Sequence, residues 1–426
     1  MFRPHFKRSP FHIPAAFHPL TEKNFAALWV GAFLSNLGFW IQSVAQGWQV
    51  LQLTNSAFLL GLVTFIGTVP SLLLSLFGGV IADKFDRRRL LVIAQSVYLC
   101  TALLPGILTT LGVIQVWHIV LIALINGTFS SVSFPAWQTF ITDLVQDGEL
   151  KQGIALNSMQ FNLSRVIGPA IGGLSIGIFG IAGSYYLNAL SYVAVIVPLL
   201  VMRPAPKKRA APEVQEVQSM KENLVQGLLY LKKRPVLLVL LGLQLMIAFC
   251  VTPYLTLLPV FAANIFHSGA TGLGVMNAVA GFGALLGAVL LVLLASRLRQ
   301  PVHVLFLLCV VGGMASILFA LMPNQQLALP LLVVLGASTV MSNTVTNTTL
   351  QSSTPVELRA RVISIWIMIT FGIAPFGSLV AGTVAQTSGA ALTLMLGGAI
   401  CVLVAGALIL LTRKITRPAP RVVLVE

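Results

Sequence analysis

Long apolar runs separated by short polar breaks constrain this chain more than any other feature of its sequence. A helix needs about 20 apolar residues to cross the hydrocarbon core of a bilayer, and twelve runs of that kind occur along the 426 residues. Only 9% of the residues are charged, which is too few to cover a water-facing surface. The sequence therefore predicts an all-α membrane protein with transmembrane helices near 25–52, 57–82, 89–110, 115–141, 152–178, 183–202, 236–262, 271–296, 301–322, 327–350, 360–385 and 390–412.

Charged residues alternate with these predicted helices. The loops that follow the first, third, fifth, seventh, ninth and eleventh helix contain no Lys, Arg, Asp or Glu. Nearly every charge lies in the N-terminal tail, 84–89, Lys151, 203–234, Arg297, Arg299, Arg359, Arg361 and the C-terminal tail. The positive-inside rule places this second set, with both termini, in the cytoplasm. A missed helix would break the alternation, so the pattern also supports twelve crossings.

The net charge of +15 would suggest nucleic-acid binding in a soluble protein. Here the basic residues flank membrane helices, so we expect the lipid bilayer as partner and no nucleic acid. Residues 1–23 are basic but have no apolar core, which indicates a cytoplasmic tail and not a cleaved signal peptide. The four cysteines form no CxxC pattern and predict buried thiols without a disulfide or metal site: Cys100, Cys250, Cys309 and Cys401.

An internal repeat predicts two six-helix halves. Asp147-Gly148-Glu149-Leu150-Lys151 and Pro355-Val356-Glu357-Leu358-Arg359 each lie between the fourth and fifth helix of a half. A proline-containing helix follows each, with Pro169 and Pro375. Parallel six-helix repeats are a known transporter architecture. The predicted segments are a cytoplasmic tail (1–23), a first half (24–202), a cytoplasmic linker (203–235), a second half (236–413) and a cytoplasmic tail (414–426).

The linker contains apolar residues at helical spacing, namely Val217, Met220, Leu224, Leu228 and Leu231. This spacing is typical of a helix that lies on the inner membrane surface. A solvated linker without such a helix is the alternative interpretation.

A glycine-rich segment with an acid and a basic run follows the second predicted helix. It reads Gly78-Gly79-Val80-Ile81-Ala82-Asp83-Lys84-Phe85-Asp86-Arg87-Arg88-Arg89. It resembles the signature loop of the major facilitator superfamily, with Gly79, Asp83, Arg87 and Arg88 at the matching positions. The resemblance implies a conformational-switch loop. The equivalent loop of the second half keeps Arg297 and Arg299 without an acid.

The fifth predicted helix contains Ser164-Arg165-Val166-Ile167-Gly168-Pro169-Ala170-Ile171-Gly172-Gly173. Proline removes a backbone hydrogen bond and bends a helix, and glycines allow a neighbouring helix to approach. The segment is similar to the antiporter motif of facilitator-superfamily exporters through Gly168, Pro169, Gly172 and Gly173, although Ser164 replaces the usual first glycine. A generic kinked and packed helix is the alternative.

Arg165 is the only charged residue predicted well inside the bilayer. It lies about 14 residues, or roughly 20 Å of helix, beyond Lys151. A central charge costs several kcal/mol and points to function. One hypothesis is that Arg165 lines a cavity and attracts an anionic cargo group. The other is that it binds carbonyls or hydroxyls of neighbouring helices.

Uncharged polar residues inside the predicted helices must turn inward, away from lipid. We predict a substrate cavity lined by Asn36, Gln42, Gln46, Asn126, Trp137, Arg165, Asn343 and Asn347. Hydrogen bonding between helices is the alternative for each amide. No Asp or Glu lies in the middle of a predicted helix and no phosphate-binding P-loop is present, so the sequence indicates no direct use of ATP.

Nearly the whole chain resembles the major facilitator superfamily, and its branch of bacterial enterobactin and macrolide exporters. Further matching segments are Asn36-Leu37-Gly38, Gly47-Trp48, Thr54-Asn55-Ser56-Ala57, Asn157, Asn188-Ala189 and Pro355-x-Glu357-Leu358-x-x-Arg361-Val362. The resemblance implies a monomeric secondary transporter of the bacterial inner membrane, which exports a siderophore-like or drug-like molecule by proton-coupled alternating access and uses no cofactor. Its first, fourth, seventh and tenth helices would line the cavity.

Three alternatives remain. The same fold serves uptake transporters and lysophospholipid or other lipid carriers. A membrane-integral enzyme or a non-transporting protein is the alternative of another class. The histidines His118, His267 and His303 are scattered and form no catalytic cluster in the sequence, and no soluble signalling domain is apparent. We therefore expect no enzyme and no metal site.

Overall fold

The computed structural model describes residues 15–145, 148–202, 220–294 and 300–415, and within these ranges the regular elements are helices. The first half contains α1 (Lys23–Thr54), α2 (Ala57–Lys84), α3 (Arg87–Thr110), α4 (Val116–Leu144) and α5 (Leu150–Val201). The linker contains α6 (Met220–Lys232). The second half contains α7 (Pro235–Met246), α8 (Tyr254–Val260), α9 (Gly269–Leu294), α10 (Pro301–Leu321), α11 (Gln325–Ser353), α12 (Val356–Ile367), α13 (Ala374–Ser388) and α14 (Ala390–Ile415).

Eleven helices or continuous helical runs in the described residues are long and apolar enough to cross a membrane. One of them, α5, has 52 residues and accounts for both the fifth and the sixth predicted crossing. Its break lies at Gly180, where φ is 71° and ψ is 179°. A side chain would disfavour that conformation, so the glycine permits the turn between the two crossings. The twelve predicted helices are thus all present, with ends within a few residues of the predicted ones.

Polar residues in the short connections start several of these helices. Asp86 accepts a hydrogen bond of 2.8 Å from the backbone nitrogen of Arg89 at the start of α3. Asn324 accepts one of 3.0 Å from the backbone nitrogen of Leu327 at the start of α11. These side chains satisfy backbone donors that the first helical turn leaves without a partner.

Two crossings contain π-helical turns that the sequence analysis did not predict. The seventh crossing runs from α7 through Ile247–Val251, α8 and Phe261–Ile265, and the eleventh from α12 through Met368–Ile373 to α13. In the first π-turn the backbone nitrogen of Thr252 donates to the carbonyl of Ile247 at 2.9 Å. Proline follows at Pro253, which has no donor to continue the regular ladder.

The helices pack in two similar sets. In the first half α1 and α3 pack on α5, and α2 packs on α4. In the second half α9 packs on α11, and α10 packs on α11 and α14. The sets meet along two seams, where α2 packs on α13 and α5 packs on α9. Side chains between these helices therefore lie where the two halves could move against each other.

Three further predictions concern the cysteines, the N-terminal tail and the linker. Cys250, Cys309 and Cys401 are buried free thiols, but Cys100 is exposed on α3, so burial was the wrong expectation for it. A 3₁₀ helix, Ala15–Thr21, occupies part of the predicted N-terminal tail. In the linker, the described part is α6, which contains Leu228 and Leu231, and Val217 lies outside the described residues.

Candidate transport pathway

Glycines bring α5 and α9 into backbone contact along one seam. A Cβ atom on Gly173 would overlap the Cα of Gly274, and one on Gly274 would overlap the Cα of Gly173. Further along the same seam, a Cβ on Gly281 would lie 3.1 Å from the Cα of Val166. Only glycine permits this approach, because any side chain would separate the two helices.

The seam between α2 and α13 is built in the same way. A Cβ on Gly61 would lie 2.5 Å from the carbonyl oxygen of Ser378, and one on Gly382 would lie 2.6 Å from that of Ala57. The rings of Phe65 and Phe376 meet edge to face, with their centres 4.9 Å apart. Along both seams the helices therefore meet mainly through glycines, and a few aromatic and polar side chains make contacts across them.

Polar contacts link the two halves at the end of the molecule whose loops carry no charge, which we call the uncharged end. Ser56 donates its hydroxyl proton to the Oε1 of Gln386 at 2.8 Å, and the backbone nitrogen of Phe58 donates to the same atom at 3.4 Å. Asn264 donates to the Oδ1 of Asn55 at 3.1 Å. We call Asn55, Ser56, Phe58, Asn264 and Gln386 the amide clamp. It holds the halves together at the uncharged end.

Other antiporter-motif residues pack inside the first half. A Cβ on Gly168 would lie 2.5 Å from the Cβ of Trp40, and one on Gly172 would lie 3.1 Å from the Cα of Ile41. Pro169 is buried. Thus Gly168 and Gly172 bring α5 against α1, whereas Gly173 brings it against the second half.

Arg165 lies beside both the first half and the seam. Its side chain is half-buried, with the guanidinium carbon 6.0 Å from the centre of the Trp40 ring on α1. Its backbone carbonyl oxygen would lie 3.2 Å from a Cβ on Gly281 of α9. Among the described residues it makes no hydrogen bond or ion pair with a side chain. No hydrogen bond of Arg165 in the described structure therefore supports the alternative, in which it binds carbonyls or hydroxyls of neighbouring helices.

Trp40 adds a second donor at this place. Its indole Nε1 is buried and has no hydrogen-bond partner in the described part of the chain. An indole nitrogen and a guanidinium are both donors only. The two side chains therefore present donors, and no acceptor among the described residues satisfies them.

Most of the other predicted cavity residues form hydrogen bonds between or along helices. Gln42 is 6% exposed and accepts a bond of 2.6 Å from Asn188, so it lies inside the α1–α5 interface and does not face a cavity in this conformation. Asn36 donates to the buried Gln160 at 3.1 Å. Gln46 is half-buried and has no hydrogen bond with a described residue.

The candidates on α4 and α11 also have partners. Asn126 accepts from Thr101 at 2.6 Å, and Trp137 donates to Asn157 at 3.4 Å. On α11, Asn343 accepts from Gln244 of the seventh crossing at 2.7 Å, and Asn347 accepts from Gln351 at 2.7 Å. All of these side chains except Gln351 are half-buried or buried. Each candidate therefore has one hydrogen-bonded partner and keeps part of its surface accessible.

Sequence reasoning did not select Asn188, Gln244, Gln160 or Trp40 as cavity residues, although Asn188 stands in one of the segments that resemble the exporter branch. The three amides lie inside crossings, so their type alone gave a signal, but their helix faces could not be fixed without neighbouring helices. Trp40 stands in an apolar stretch, where an aromatic residue usually indicates packing.

The switch loop lies at the opposite, charged end. Arg87 donates to Asp143 of α4 at 2.9 Å, with about a third of each side chain exposed. Arg88 donates to the carbonyl oxygens of Leu199 and Leu200 at the end of α5, the latter at 2.6 Å. The basic run therefore ties the start of α3 to the ends of α4 and α5 that lie on the charged side.

Two switch-loop residues, Gly79 and Asp83, belong to α2, and their side-chain surroundings lie outside the described part of the structure. No group of His, Cys, Asp and Glu among the described residues is arranged to hold a metal ion.

The fold is similar to those of solved transporters. It matches the nucleoside transporter NupG with a TM-score of 0.72 and 15% identity, over 92% of this chain and 99% of that chain. It matches a bacterial homologue of the lysosomal transporter Spinster, in an inward-facing and occupied conformation, with a TM-score of 0.71 and 14% identity, over 94% of this chain and 99% of that one. At this identity the likeness concerns the fold alone, and it confirms the predicted architecture.

Sequence comparisons agree with this fold. The chain is 27% identical over 369 residues to the staphyloferrin A transporter of Staphylococcus aureus (strain NCTC 8325 / PS 47), which covers 86% of this chain and 91% of that protein. It is 30% identical over 355 residues to the enterobactin exporter EntS of Shigella flexneri, which covers 81% of each. Residues 14–419 match the family of transmembrane secretion effectors. The chain therefore belongs to the transmembrane secretion effector family of the major facilitator superfamily and is a multi-pass membrane transporter of a small molecule.

Proposed function

We propose that this transporter exports an anionic small molecule, of the siderophore class, from the cytoplasm of a bacterium. The observation that carries the proposal is the pair of donors on Arg165 and Trp40, which no acceptor satisfies among the described residues. Two relatives named for siderophores, the staphyloferrin A transporter and the enterobactin exporter, support the class of cargo.

A charge in the middle of a membrane protein supports binding of an opposite charge. An arginine near the middle of the bilayer without a partner costs several kcal/mol. A carboxylate or another oxyanion offsets that cost by accepting two parallel hydrogen bonds from the guanidinium. The adjacent Trp40 keeps the planar group in place and offers its Nε1 to a further acceptor atom.

The seams support alternating access as the mechanism. Glycine contacts such as Gly173 with Gly274 leave α5 and α9 free to roll without interlocking side chains. The amide clamp closes the uncharged end, so release there requires the Asn55–Asn264 and Ser56–Gln386 bonds to break. With the charged end in the cytoplasm, as the positive-inside rule favours, the state with a closed clamp is the one in which cargo would enter from inside.

The cellular setting and the energy source are part of the same proposal. The protein works as a monomer in the inner membrane, with both termini in the cytoplasm, and catalyses no chemical reaction. Proton coupling rests on the family resemblance. Among the described residues, two carboxylates at the charged end are held by basic partners: Asp143 pairs with Arg87, and Glu149 accepts a bond from His18. These two are the candidates for the proton.

The test is a deletion strain in which metabolites inside and outside the cells are compared, with and without iron limitation. Export predicts that a siderophore is retained inside and depleted outside, and that the wild-type gene restores secretion. If every siderophore is distributed as in the parent strain, the siderophore class is wrong, and drug-like molecules or lipids become the candidates.

A further inference from the structure

The described residues of helix α6 form two different faces. One face contains Gly227, Tyr230 and Leu231, which recur at the three- and four-residue spacing of one side of a helix, and it lies against the second half. A Cβ on Gly227 would lie 2.9 Å from the Cδ1 of Ile365 and 3.2 Å from the carbonyl oxygen of Arg361, and Leu231 is fully buried. This face holds α6 against α12.

Two polar contacts strengthen that attachment. Tyr230 donates its hydroxyl proton to the carbonyl oxygen of Ser353 at 3.1 Å, and Arg361 donates to the side chain of Gln226. The guanidinium of Arg234 lies 5.9 Å from the Tyr230 ring centre. Helix α6 is therefore fixed to the start of the eleventh crossing and moves with it.

The opposite face is apolar and uncovered. Val225 is 50% exposed, Leu228 47% and Leu229 54%. These three residues and the exposed Lys232 recur at helical spacing, on the side of α6 that points away from α12. We call Val225, Leu228 and Leu229 the apolar face of α6.

The position of α6 places this face at a membrane surface. Lys233 and Arg234 alone separate the end of α6 from α7, where the seventh crossing begins. Lys232, Lys233 and Arg234 are all exposed at that end. An amphipathic helix with an apolar face and basic residues beside it is suited to the boundary between acyl chains and anionic headgroups.

We propose that α6 binds the anionic lipids of the inner leaflet, with its apolar face among the acyl chains and Lys232 and Lys233 at the headgroups. The apolar face then has a partner that matches both its hydrophobicity and the charge beside it. Because α6 is fixed to α12, lipid bound there contacts the half that must move during transport. This inference does not depend on the identity of the cargo.

The test uses the full-length protein in lipid vesicles, with Cys100 replaced by serine so that the exposed native thiol is gone. An environment-sensitive fluorophore is attached at Leu228→Cys, and at Gln300→Cys as the control. Gln300 is exposed immediately before α10 and is not one of the residues that attach α6 to α12. Quenching is measured with nitroxide-labelled phosphatidylglycerol, with nitroxide-labelled phosphatidylcholine and with aqueous iodide.

We expect the probe at position 228 to be quenched by labelled lipid and shielded from iodide, with the reverse at position 300. Labelled phosphatidylglycerol should quench several-fold better than phosphatidylcholine. The double variant Lys232→Gln/Lys233→Gln should bring the ratio of the two quenching efficiencies close to one, because each lysine near an anionic surface accounts for up to about a fivefold preference.

Three results would overturn the proposal. Quenching at position 228 by iodide and not by lipid means that the face is in water. Protection from both quenchers means that another protein segment covers it. Equal quenching by the two lipids means that the basic residues do not select anionic headgroups.

Discussion

Arg165 and Trp40 form a pair in which the guanidinium carbon lies 6.0 Å from the ring centre, and no described side chain accepts a hydrogen bond from the arginine. If cargo supplies the missing acceptor, Arg165→Ala should weaken binding of the retained siderophore by roughly 10- to 100-fold, the range of a hydrogen bond to a charged group. Equilibrium binding to the purified protein measures this loss.

Arg165→Lys separates charge from shape. Lysine keeps the positive charge but lacks the planar fork that pairs with a carboxylate, so we expect an intermediate loss of affinity. Arg89 is the matched control, since its side chain is exposed at the charged end and Arg89→Gln should leave binding unchanged. Unchanged affinity and transport in both Arg165 variants would exclude its role in holding cargo.

Gly173→Val should prevent closure at the uncharged end. The added side chain would occupy the space of the Gly274 backbone, so α5 and α9 must separate. Cross-linking between Phe58→Cys and Thr387→Cys by a short thiol reagent, in a Cys100→Ser background, measures the closure and leaves the hydrogen-bonding atoms of the clamp in place. Its yield should fall by about an order of magnitude, as expected for a destabilisation of about 1.4 kcal/mol or more.

Gly406 of α14 provides the control for that substitution, because a Cβ there meets no atom within 4 Å. Gly406→Val should leave the cross-linking yield at the level of the parent protein. An equally high yield in Gly173→Val would show that the glycine contact does not limit closure.

Gln386→Leu should shift the protein toward states that are open at the uncharged end. The substitution removes the acceptor of both Ser56 and Phe58. A net contribution of about 1 kcal/mol for a hydrogen bond corresponds to about a fivefold shift in population. Spin labels at the exposed Gln52 and Gln326, one in each half, should report a larger long-distance population.

Thr387→Val is the neighbouring control. Thr387 bonds to Val384 and Ser388 in its own part of the chain and does not contact the first half through a hydrogen bond. A similar shift in both variants would assign the effect to loss of polarity in this turn and not to the clamp.

Substitutions of Gln42 and Gln46 should have different effects on stability and cargo affinity, although the two residues lie one helical turn apart. Gln42→Leu removes the nearer of the two acceptors of the buried Asn188 amide, which keeps only the Tyr192 hydroxyl at 3.5 Å, and should lower stability by about 1 kcal/mol, within the 0.6 to 1.7 kcal/mol range of bonds between membrane helices. Gln46→Leu should preserve the melting temperature and lower cargo affinity. Melting in detergent and a binding measurement on both variants decide this, and the reverse pattern would exclude Gln46 as a cavity residue.

The crossings could be predicted from the sequence because bilayer thickness sets the length of an apolar run. The third predicted helix, 89–110, agrees with Arg87–Thr110, and the break at Gly180 inside α5 lies between the predicted helices 152–178 and 183–202. Sequence pattern could not predict the π-turns, since they arise from a local shift in hydrogen bonding, as between Thr252 and Ile247.

The candidate site was less predictable for a geometric reason. An amide inside a crossing must avoid lipid, but it can face a cavity or a neighbouring helix, and a rotation of the helix by a few tens of degrees decides which. Gln42 faces Asn188, 146 residues away in the chain. The bond between Asn55 and Asn264 joins residues 209 positions apart. The first pairing follows from how two helices of one half pack and the second from how the two halves meet, and one sequence contains neither arrangement.

Transport in everted membrane vesicles tests the central claim most directly. In such vesicles the cytoplasmic face is outside, so an exporter carries the siderophore identified in the deletion strain inward. We predict accumulation that depends on the proton gradient and that Arg165→Ala abolishes, while Arg89→Gln transports as the wild type does. Accumulation only in right-side-out vesicles, or none in either orientation, would contradict export of this molecule.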